Sequence, residues 1–247
     1  MTNIITQREH KQIYRDGDKV VKNFDESFSK ADVLNEALNL ARIEETNLKT
    51  PELLNVEKID GKWAITTTYI EGKTLAELMQ ENPDKEDEYL DIFVELQMEV
   101  HRQRAPHLNK IKDKMHSKIS ASSYEATLRY DLHNRVEGMK KHKKVLHGDF
   151  CPSNIIVTPD NEYYIVDWAH ATQGNASADA ARTYLVFMLD GQDEIADKYL
   201  KLFSRKSDIA IQLIQQWMPI VACSQSVKNI PGEKEFLDKW VEVFDFQ

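Results

Sequence analysis

Apolar positions are spaced in two different ways along the chain, and the change falls near residue 70. Before residue 70, short apolar runs are separated twice by an Asp-Gly pair, which is a strong short-range signal for a β-hairpin. The predicted strands are Lys11–Tyr14, Lys19–Phe24, Leu53–Ile59 and Lys62–Tyr69. Between the two hairpins, Ser29 and Asp32 match a capping box, which predicts the start of a helix of about 17 residues.

After Gly72 the apolar residues recur at intervals of three and four, as they do on one face of an α-helix. Helices are predicted at Thr74–Gln80, Glu88–Gln103, Tyr124–Lys140, from about Asp179, and at Glu194–Phe203, Ser207–Ser226 and Glu233–Phe244. One hairpin, Ile155–Val157 with Tyr163–Val166, interrupts them. The pattern predicts an α+β fold with two lobes: a small antiparallel-sheet lobe at residues 1–70 and a mainly helical lobe at residues 71–247.

Length and composition narrow the classes of function. The 247 residues, 41% of them hydrophobic, are enough for one large domain or two small lobes. The 41 Asp and Glu exceed the 32 Lys and Arg, and this net charge of −9 disfavours nucleic acid as a partner. No run approaches the roughly 18 apolar residues of a membrane span, so no membrane partner is expected. Two cysteines, Cys151 and Cys223, are typical of a reducing compartment, and we expect a cytoplasmic location.

The polar residues most suggestive of chemistry lie in and after the segment 145–157. This segment contains His147, Asp149 and Asn154 in the order H-x-D-x-x-x-x-N, and Asp167 follows the predicted hairpin. Pairing of the hairpin strands should place Asn154 almost opposite Asp167, so that an amide oxygen and a carboxylate converge. A few hard oxygen ligands of this kind suit Mg²⁺, which takes further ligands from water and nucleotide phosphates. Asp149 is expected to accept the proton of an attacking hydroxyl.

These residues resemble the catalytic loop and the metal-binding aspartate of the protein-kinase-like superfamily. The resemblance is closer to the aminoglycoside phosphotransferase and choline kinase family. Gly148 stands where protein kinases commonly have Arg, and Trp168 follows Asp167 where they have Phe-Gly. The segment 178–183, Ala-Asp-Ala-Ala-Arg-Thr, is also similar to that family. The resemblance covers nearly the whole chain in order, but its specific motifs occupy only residues 145–183.

The resemblance implies a kinase that uses ATP, with GTP as the alternative nucleotide, and Mg²⁺ as cofactor. Asp149 would be the catalytic residue, and Asn154 and Asp167 would bind the metal. His147 and Asp179 would support the catalytic loop. Asp179 could also be a simple helix N-cap.

Upstream residues fit the same template. Lys22 resembles the strand lysine that contacts the α- and β-phosphates, and Glu36 lies on the next helix, where the ion-pair partner of that lysine is expected. Main-chain groups of Thr68 and Ile70 would bind the adenine edge, after Thr67 as gatekeeper. Taken singly, Lys22 also fits a solvent-exposed strand lysine, and Glu36 competes with Glu44 and Glu45 on its own helix.

The glycine-rich phosphate loop of the template is absent. Residues 6–12, Thr-Gln-Arg-Glu-His-Lys-Gln, contain no glycine. Backbone amides, Arg8 and Lys11 are the candidates for holding the phosphates instead.

The chain also lacks the long activation segment associated with peptide docking, since only eleven residues separate Asp167 from Asp179. The expected partners are therefore a nucleotide and a small-molecule hydroxyl acceptor such as an aminoglycoside, choline or an amino alcohol. The net charge favours a cationic acceptor. Two alternatives stay open: a compact atypical protein kinase, and a pseudokinase that binds nucleotide without turnover.

Overall fold

The computed structural model describes residues 3–8 and 10–242, without the side chains of residues 3, 7 and 8. The strands are β1 (Asn3–Arg8), β2 (Lys11–Asp16), β3 (Lys19–Phe24), β4 (Leu53–Ile59), β5 (Lys62–Thr68), β6 (Lys73–Thr74), β7 (Lys144–Leu146), β8 (Ile155–Val157), β9 (Tyr163–Ile165) and β10 (Thr172–Gly174). The α-helices are α1 (Lys30–Glu44), α2 (Leu75–Glu81), α3 (Glu86–Arg102), α4 (Ile111–Ala121), α5 (Ala126–Gly138), α6 (Ala176–Leu189), α7 (Asp193–Ser207), α8 (Ile211–Gln215), α9 (Met218–Ser226) and α10 (Lys234–Val241).

The described residues pack as two units. The first, which we call the sheet unit, comprises the described residues up to 86 together with Pro152–His170. The second, the helical unit, comprises Asp87–Cys151 and the described residues from 171 onward. A small antiparallel-sheet unit and a mainly helical unit confirm the predicted fold class.

The sheet unit is built on an antiparallel sheet with the strand order β1-β2-β3-β5-β4. Both predicted Asp-Gly turns are present, and their glycines, Gly17 and Gly61, have φ angles of 63° and 81°. Such left-handed backbone is where glycine avoids the steric cost that a Cβ atom brings. The predicted capping box is also confirmed: Ser29 accepts from the Asp32 amide, and the Asp32 carboxylate accepts from the Ser29 amide.

One face of this sheet packs against α1. Phe24 and Ile65 from the strands and Val33 and Ala37 from the helix form a buried cluster. Four partly buried hydrophobic residues surround it: Phe28, Leu53, Val56 and Trp63. The helix is therefore fixed to the sheet mainly by burial of apolar surface.

The hairpin of β8 and β9 belongs to the sheet unit, although 80 residues of chain separate it from β6. β6 pairs with β8 through Lys73 opposite Val157, and the Ile165 amide donates to the Lys49 carbonyl at 3.0 Å. The boundary thus differs from a division at residue 70, because hydrogen bonds tie segments 71–86 and 152–170 to the strands before them. The functional assignment of residues 1–70 and 71–247 as separate lobes stays a prediction.

An aromatic cluster lies in the core of the helical unit. The Phe93 ring of α3 lies 4.8 Å from the ring of Phe150 and 5.7 Å from that of Phe187, between centroids. Tyr199 adds a third ring at 5.8 Å. Offset and edge-to-face pairs of this kind stabilise a core beyond their apolar area alone.

One predicted helix of this unit is wrong. Ser207–Ser226 was expected to be continuous, but α7 ends at Ser207, Asp208 has a left-handed φ of 56°, and two separate helices follow, α8 and α9. Pro219 is the second residue of α9, where its missing N–H costs nothing, whereas inside a longer helix it would break the hydrogen-bond ladder.

Gly72 allows the close approach of the chain to β8. A Cβ atom at this position would lie 2.3 Å from the Val157 carbonyl oxygen and 2.8 Å from its carbonyl carbon. Because both are backbone atoms, we expect Gly72→Ala to lower the free energy of unfolding by about 1–3 kcal/mol. Urea unfolding would measure this change. Gly138→Ala, whose Cβ meets nothing within 4 Å, is the control, and equal stability of both variants would contradict the steric argument.

Candidate active site

A cavity of about 580 Å³ lies within the sheet unit. Its lining includes every residue that the sequence assigned to nucleotide or metal: Lys22, Glu36, Thr68, Ile70, Asn154 and Asp167. The cavity is large enough for a drug-sized ligand. The remaining predicted residues, His147, Asp149 and Asp179, belong to the helical unit.

Lys22 joins two carboxylates that are distant in sequence. Its ammonium group contacts the Glu36 carboxylate and lies 3.0 Å from Asp167 Oδ1. The Lys22 and Glu36 side chains are only 13% and 14% exposed, so this is a largely buried charge cluster. Burial has the largest single effect and would lower the pKa of Lys22, but Asp167 and Glu36 together outweigh it and raise the pKa. Lys22 is therefore held as a cation.

Glu36 also forms an ion pair with a second lysine, Lys11. Lys11 Nζ lies 3.6 Å from the other Glu36 oxygen, Oε2. Burial and the charge of Lys22 lower the pKa of Lys11. Arg8, the other basic candidate for phosphate binding, has a side chain that lies outside the described residues.

The hairpin sets the positions of Asn154 and Asp167. Ile155 pairs with Ile165, and the Val166 amide donates to the Asn154 carbonyl at 2.9 Å, so Asn154 lies opposite the residue before Asp167. Asp167 has a left-handed φ of 62°, a conformation that aspartate tolerates better than most residues. An unusual backbone angle in a cavity wall is a feature of functional sites.

Trp168 anchors the chain just after Asp167. Its buried indole N–H lies 3.0 Å from both the Ile165 carbonyl oxygen and the Thr50 hydroxyl. One residue further along the chain, Asn39 of α1 donates to the Ala169 carbonyl at 3.2 Å. The segment that carries Asp167 is therefore fixed on both the hairpin side and the helix side.

Thr68, the last residue of β5, and Ile70 line the same cavity. The Thr68 amide donates to the Glu52 carbonyl at 3.0 Å, and the Tyr69 amide donates to that of Asp18 at 2.8 Å. An adenine contact at Thr68 therefore depends on its carbonyl oxygen, because its N–H is already engaged.

In the helical unit, Asp149 is paired with Arg182 of α6. Arg182 Nη2 donates to Asp149 Oδ1 at 3.0 Å, and Arg182 Nη1 donates to Gln225 Oε1 at 2.9 Å. Gln225 in turn donates to Glu233 at 2.8 Å. Arg182 thus links the Asp149 carboxylate to a chain of polar side chains that ends at Glu233.

Asp179 is the fully buried centre of a second network. Its carboxylate accepts from the Gly148 amide at 2.7 Å, from the His147 amide at 3.2 Å and from His101 Nε2 at 3.0 Å. Burial has the largest single effect and would raise the pKa of Asp179. The pKa nevertheless lies below its usual value, because the hydrogen bond and charge of His101, the charge of His147 and the Gly148 amide all stabilise the carboxylate. His147 Nδ1 accepts from the Asp149 amide at 3.2 Å.

The possible role of Asp179 as a helix N-cap is wrong. α6 begins at Ala176, and Asn175 is its N-cap, with its side chain accepting from the Ser177 amide. Asp179 lies one turn inside the helix, from where its carboxylate reaches the backbone of the loop after β7.

A model of the family described as phosphotransferase enzymes matches residues 7–210. The chain belongs to this phosphotransferase family. No curated protein matches the chain.

Solved structures with the same fold include other phosphotransferases. Aminoglycoside phosphotransferase APH(4)-Ia has a TM-score of 0.70 at 14% identity, over 97% of this chain and 90% of its own. Choline kinase LicA from Streptococcus pneumoniae has a TM-score of 0.62 at 15% identity, over 100% of this chain and 88% of its own. An aminoglycoside-3'-phosphotransferase of type VIII has a TM-score of 0.62 at 14% identity, over 88% of this chain and 93% of its own.

Arg182 was missed by sequence reasoning, although a signal was present. Asp179 and Arg182 are the charged residues of α6, whose other residues are small, apolar or hydroxyl-bearing. Two charges in such a helix indicate specific partners, because burial of a charged group without them is costly. In this phosphotransferase each of them has a partner in the segment that holds His147 and Asp149.

No helix in residues 3–8 and 10–242 is long and apolar enough to span a bilayer. The same part of the chain holds no group of three or more His, Cys, Asp or Glu side chains arranged to bind a metal. The pair Asn154 and Asp167 consists of one amide and one carboxylate.

Asp179→Asn should destabilise the protein at neutral pH. The substitution removes the charge that His101 and two amides contact, and breaking a buried pair of this kind costs about 3 kcal/mol. Folding lowers the pKa of Asp179. The ionised carboxylate therefore contributes fully to the free energy of unfolding above the unfolded-state pKa of about 4, and this contribution decreases as the pH falls further. Urea unfolding of both proteins between pH 7 and pH 3 measures the difference.

The control for this experiment is Asp113→Asn, which changes an exposed carboxylate of α4 in the same unit. It should leave stability within about 0.5 kcal/mol of the wild type. If the difference in free energy of unfolding between the wild type and Asp179→Asn stayed constant down to pH 3, it would contradict the lowered pKa of Asp179.

Proposed function

We propose that this phosphotransferase moves the γ-phosphate of ATP to a hydroxyl group of a small molecule. The observation that carries the proposal is the contact of Lys22 with both Glu36 and Asp167 in a cavity of the sheet unit. A cation held by one helix carboxylate and by the aspartate after a hairpin is the arrangement by which kinases orient nucleotide phosphates. ATP is the proposed donor, and GTP is the alternative.

In this proposal the cavity binds the nucleotide. The base lies against the end of β5, where the Thr68 carbonyl and the Ile70 main chain recognise its edge. Lys22 orients the α- and β-phosphates and is kept protonated by its two carboxylates. Glu36 fixes the lysine rather than touching the nucleotide.

Asn154 and Asp167 are the proposed ligands of Mg²⁺. An amide oxygen and a carboxylate at the end of one hairpin are hard donors, and their small number suits an ion that keeps waters and binds phosphate oxygens. When bound, Mg²⁺ neutralises charge on the phosphates. The left-handed backbone of Asp167 and the anchored Trp168 fix the carboxylate in advance.

Asp149 is the proposed catalytic residue. The acceptor oxygen attacks the γ-phosphorus, the bond from phosphorus to the oxygen bridging the β-phosphate breaks, ADP leaves, and Asp149 takes the hydroxyl proton. Arg182 holds one Asp149 oxygen at 3.0 Å and thus fixes the carboxylate. Asp179 and His147 support this loop through the backbone amides of residues 147–149.

The solved relatives support a nucleotide and a small acceptor. APH(4)-Ia has been solved as ternary complexes with AMP-PNP and hygromycin B and with ADP and hygromycin B. LicA is a choline kinase that has been solved with AMP. A screen for ADP release across aminoglycosides, choline, amino alcohols and sugars tests the proposal. Nucleotide binding without turnover on any acceptor would instead favour a pseudokinase.

The charge of the acceptor is subject to two opposite effects. The net charge of −9 favours a cation, as the sequence suggests. Arg182, which contacts Asp149, adds a positive charge at the proposed catalytic residue. Glycerol, glycerate and 3-amino-1,2-propanediol differ mainly in charge, so their relative rates separate the two effects. A preference for the amine would support the argument from net charge, and a preference for glycerate would contradict it.

Asp167→Asn should lower turnover at least about 100-fold, which corresponds to about 2.7 kcal/mol of transition-state stabilisation. The reason is the loss of the anionic ligand and of one partner of Lys22. Steady-state ADP release at saturating Mg²⁺ measures the effect. Asp160→Asn, in the exposed turn of the same hairpin, is the matched control and should keep wild-type rates. Unchanged activity in Asp167→Asn would refute the metal assignment.

Asp149→Asn should also abolish most turnover, by about 100-fold or more, while nucleotide affinity stays within about twofold of the wild type. The expected split arises because Asp149 acts on the acceptor and not on the nucleotide. Calorimetric binding of AMP-PNP and ADP release with the best acceptor measure the two quantities. Asp193→Asn, an exposed carboxylate of the helical unit, is the control. Retained transfer in Asp149→Asn would refute its catalytic role.

A further inference from the structure

A second lysine faces the nucleotide cavity beside Lys22. Lys11 and Ile13 are two residues apart on β2, so their side chains point to the same side of the sheet, and both line the cavity. Ile13 is paired with Lys22 across the β2–β3 ladder. Lys11 is therefore the diagonal neighbour of Lys22 on the face that lines the cavity.

The connection between β1 and β2 is too short to serve as a phosphate loop. β1 ends at Arg8 and β2 begins at Lys11, and these two residues are paired. Only positions 9 and 10 lie between the strands, and neither is glycine. A G-x-G-x-x-G loop covers phosphates with several successive amides over six positions, which two residues cannot supply.

Lys11 begins β2, directly after this connection, with its ammonium group held in place. Lys11 Nζ lies 4.7 Å from the Phe28 ring centroid and 5.2 Å from that of Phe24. Its 3.6 Å separation from Glu36 Oε2 is longer than a hydrogen bond. The Lys11 side chain is 25% exposed, against 13% for Lys22. The Lys11 ammonium group is thus held in place, but its ion pair with a carboxylate is weaker than those of Lys22.

The two carboxylates of the cluster are shared unequally between the two lysines. Lys22 is countered by both Glu36 and Asp167, whereas Lys11 shares Glu36 with Lys22. A polyanion entering the cavity would meet Lys11 as the cation with the weaker existing partner. Charge-assisted hydrogen bonds from ammonium to phosphate oxygens are about twice as strong as neutral ones, so a lysine can offset part of the loss of amide contacts.

We propose that Lys11 binds the phosphate chain of the nucleotide and takes the place of the absent glycine-rich loop. This inference rests on the proposed nucleotide site and names the group that holds the phosphates there. Lys11 is a binding residue in this proposal, and Lys22 keeps its orienting role.

The test compares ligands with and without phosphates. Calorimetry with AMP-PNP and with adenosine is carried out on the wild type, on Lys11→Met and on Lys11→Arg. Methionine retains an apolar side chain beside Phe24 and Phe28 without the charge. We expect Lys11→Met to weaken AMP-PNP binding by about tenfold or more and adenosine binding by less than about twofold. Lys11→Arg should recover most of the AMP-PNP affinity, which a purely structural role of the lysine would not explain.

Lys19→Met is the matched control, because Lys19 is an exposed lysine of the neighbouring strand that does not line the cavity. It should bind both ligands as the wild type does. Wild-type affinity of Lys11→Met for AMP-PNP would overturn the inference and leave the proposed function standing. Failure of the wild type itself to bind AMP-PNP would overturn both, so the two failures are distinguishable.

Discussion

The cluster of Lys22 with Glu36 and Asp167 is the interaction on which the candidate site in the sheet unit depends. A lysine with 13% of its side chain exposed keeps its charge only when opposite charges replace the lost water. Glu36 comes from α1 and Asp167 from the segment after β9, so the cluster ties a strand, a helix and a distant hairpin together. Removing either carboxylate would leave a buried charge with half of its compensation. The capping box of α1, the hairpin register and the anchored Trp168 can all be understood as supports for this geometry.

The parts of the fold that the sequence could predict are those determined locally. Asp-Gly turns select left-handed backbone, and the pair Ser29 and Asp32 satisfies helix-end amides whatever the rest of the chain does. The short strands β6, β7 and β10 and the helix α4 were missed because their signals are weak without their partners. The break before α9 was missed because apolar spacing was allowed to outweigh Pro219. The grouping of the hairpin with the first strands is likewise a property of long-range hydrogen bonds, which leave no local pattern.

The residues of the candidate site also divide into those that local sequence predicts and those that depend on long-range contacts. The spacing of Asn154 and Asp167 around a hairpin is sufficient to predict that they converge, and the register agrees to within one residue. Lys22 and Glu36 could be named only through the resemblance to kinases, since each has ordinary alternatives on its own element. The position of Lys11 required the β2–β3 register, because alternation along a strand shows which residues share a face but not which face is lined by a cavity. Arg182 needed no tertiary knowledge, only closer attention to charge within an apolar helix.

The discontinuity of both units has a consequence for biosynthesis. The sheet unit is closed by β8 and β9, and the helical unit is interrupted by them, so neither is continuous in sequence. A ribosome must therefore release the chain beyond Asp167 before Lys22 can acquire its second carboxylate. Until then the β3 lysine has only Glu36 as a nearby counter-charge, and the edge that β6 offers to β8 is unpaired. The sheet unit of a nascent chain would thus remain incomplete until about two thirds of the sequence has emerged.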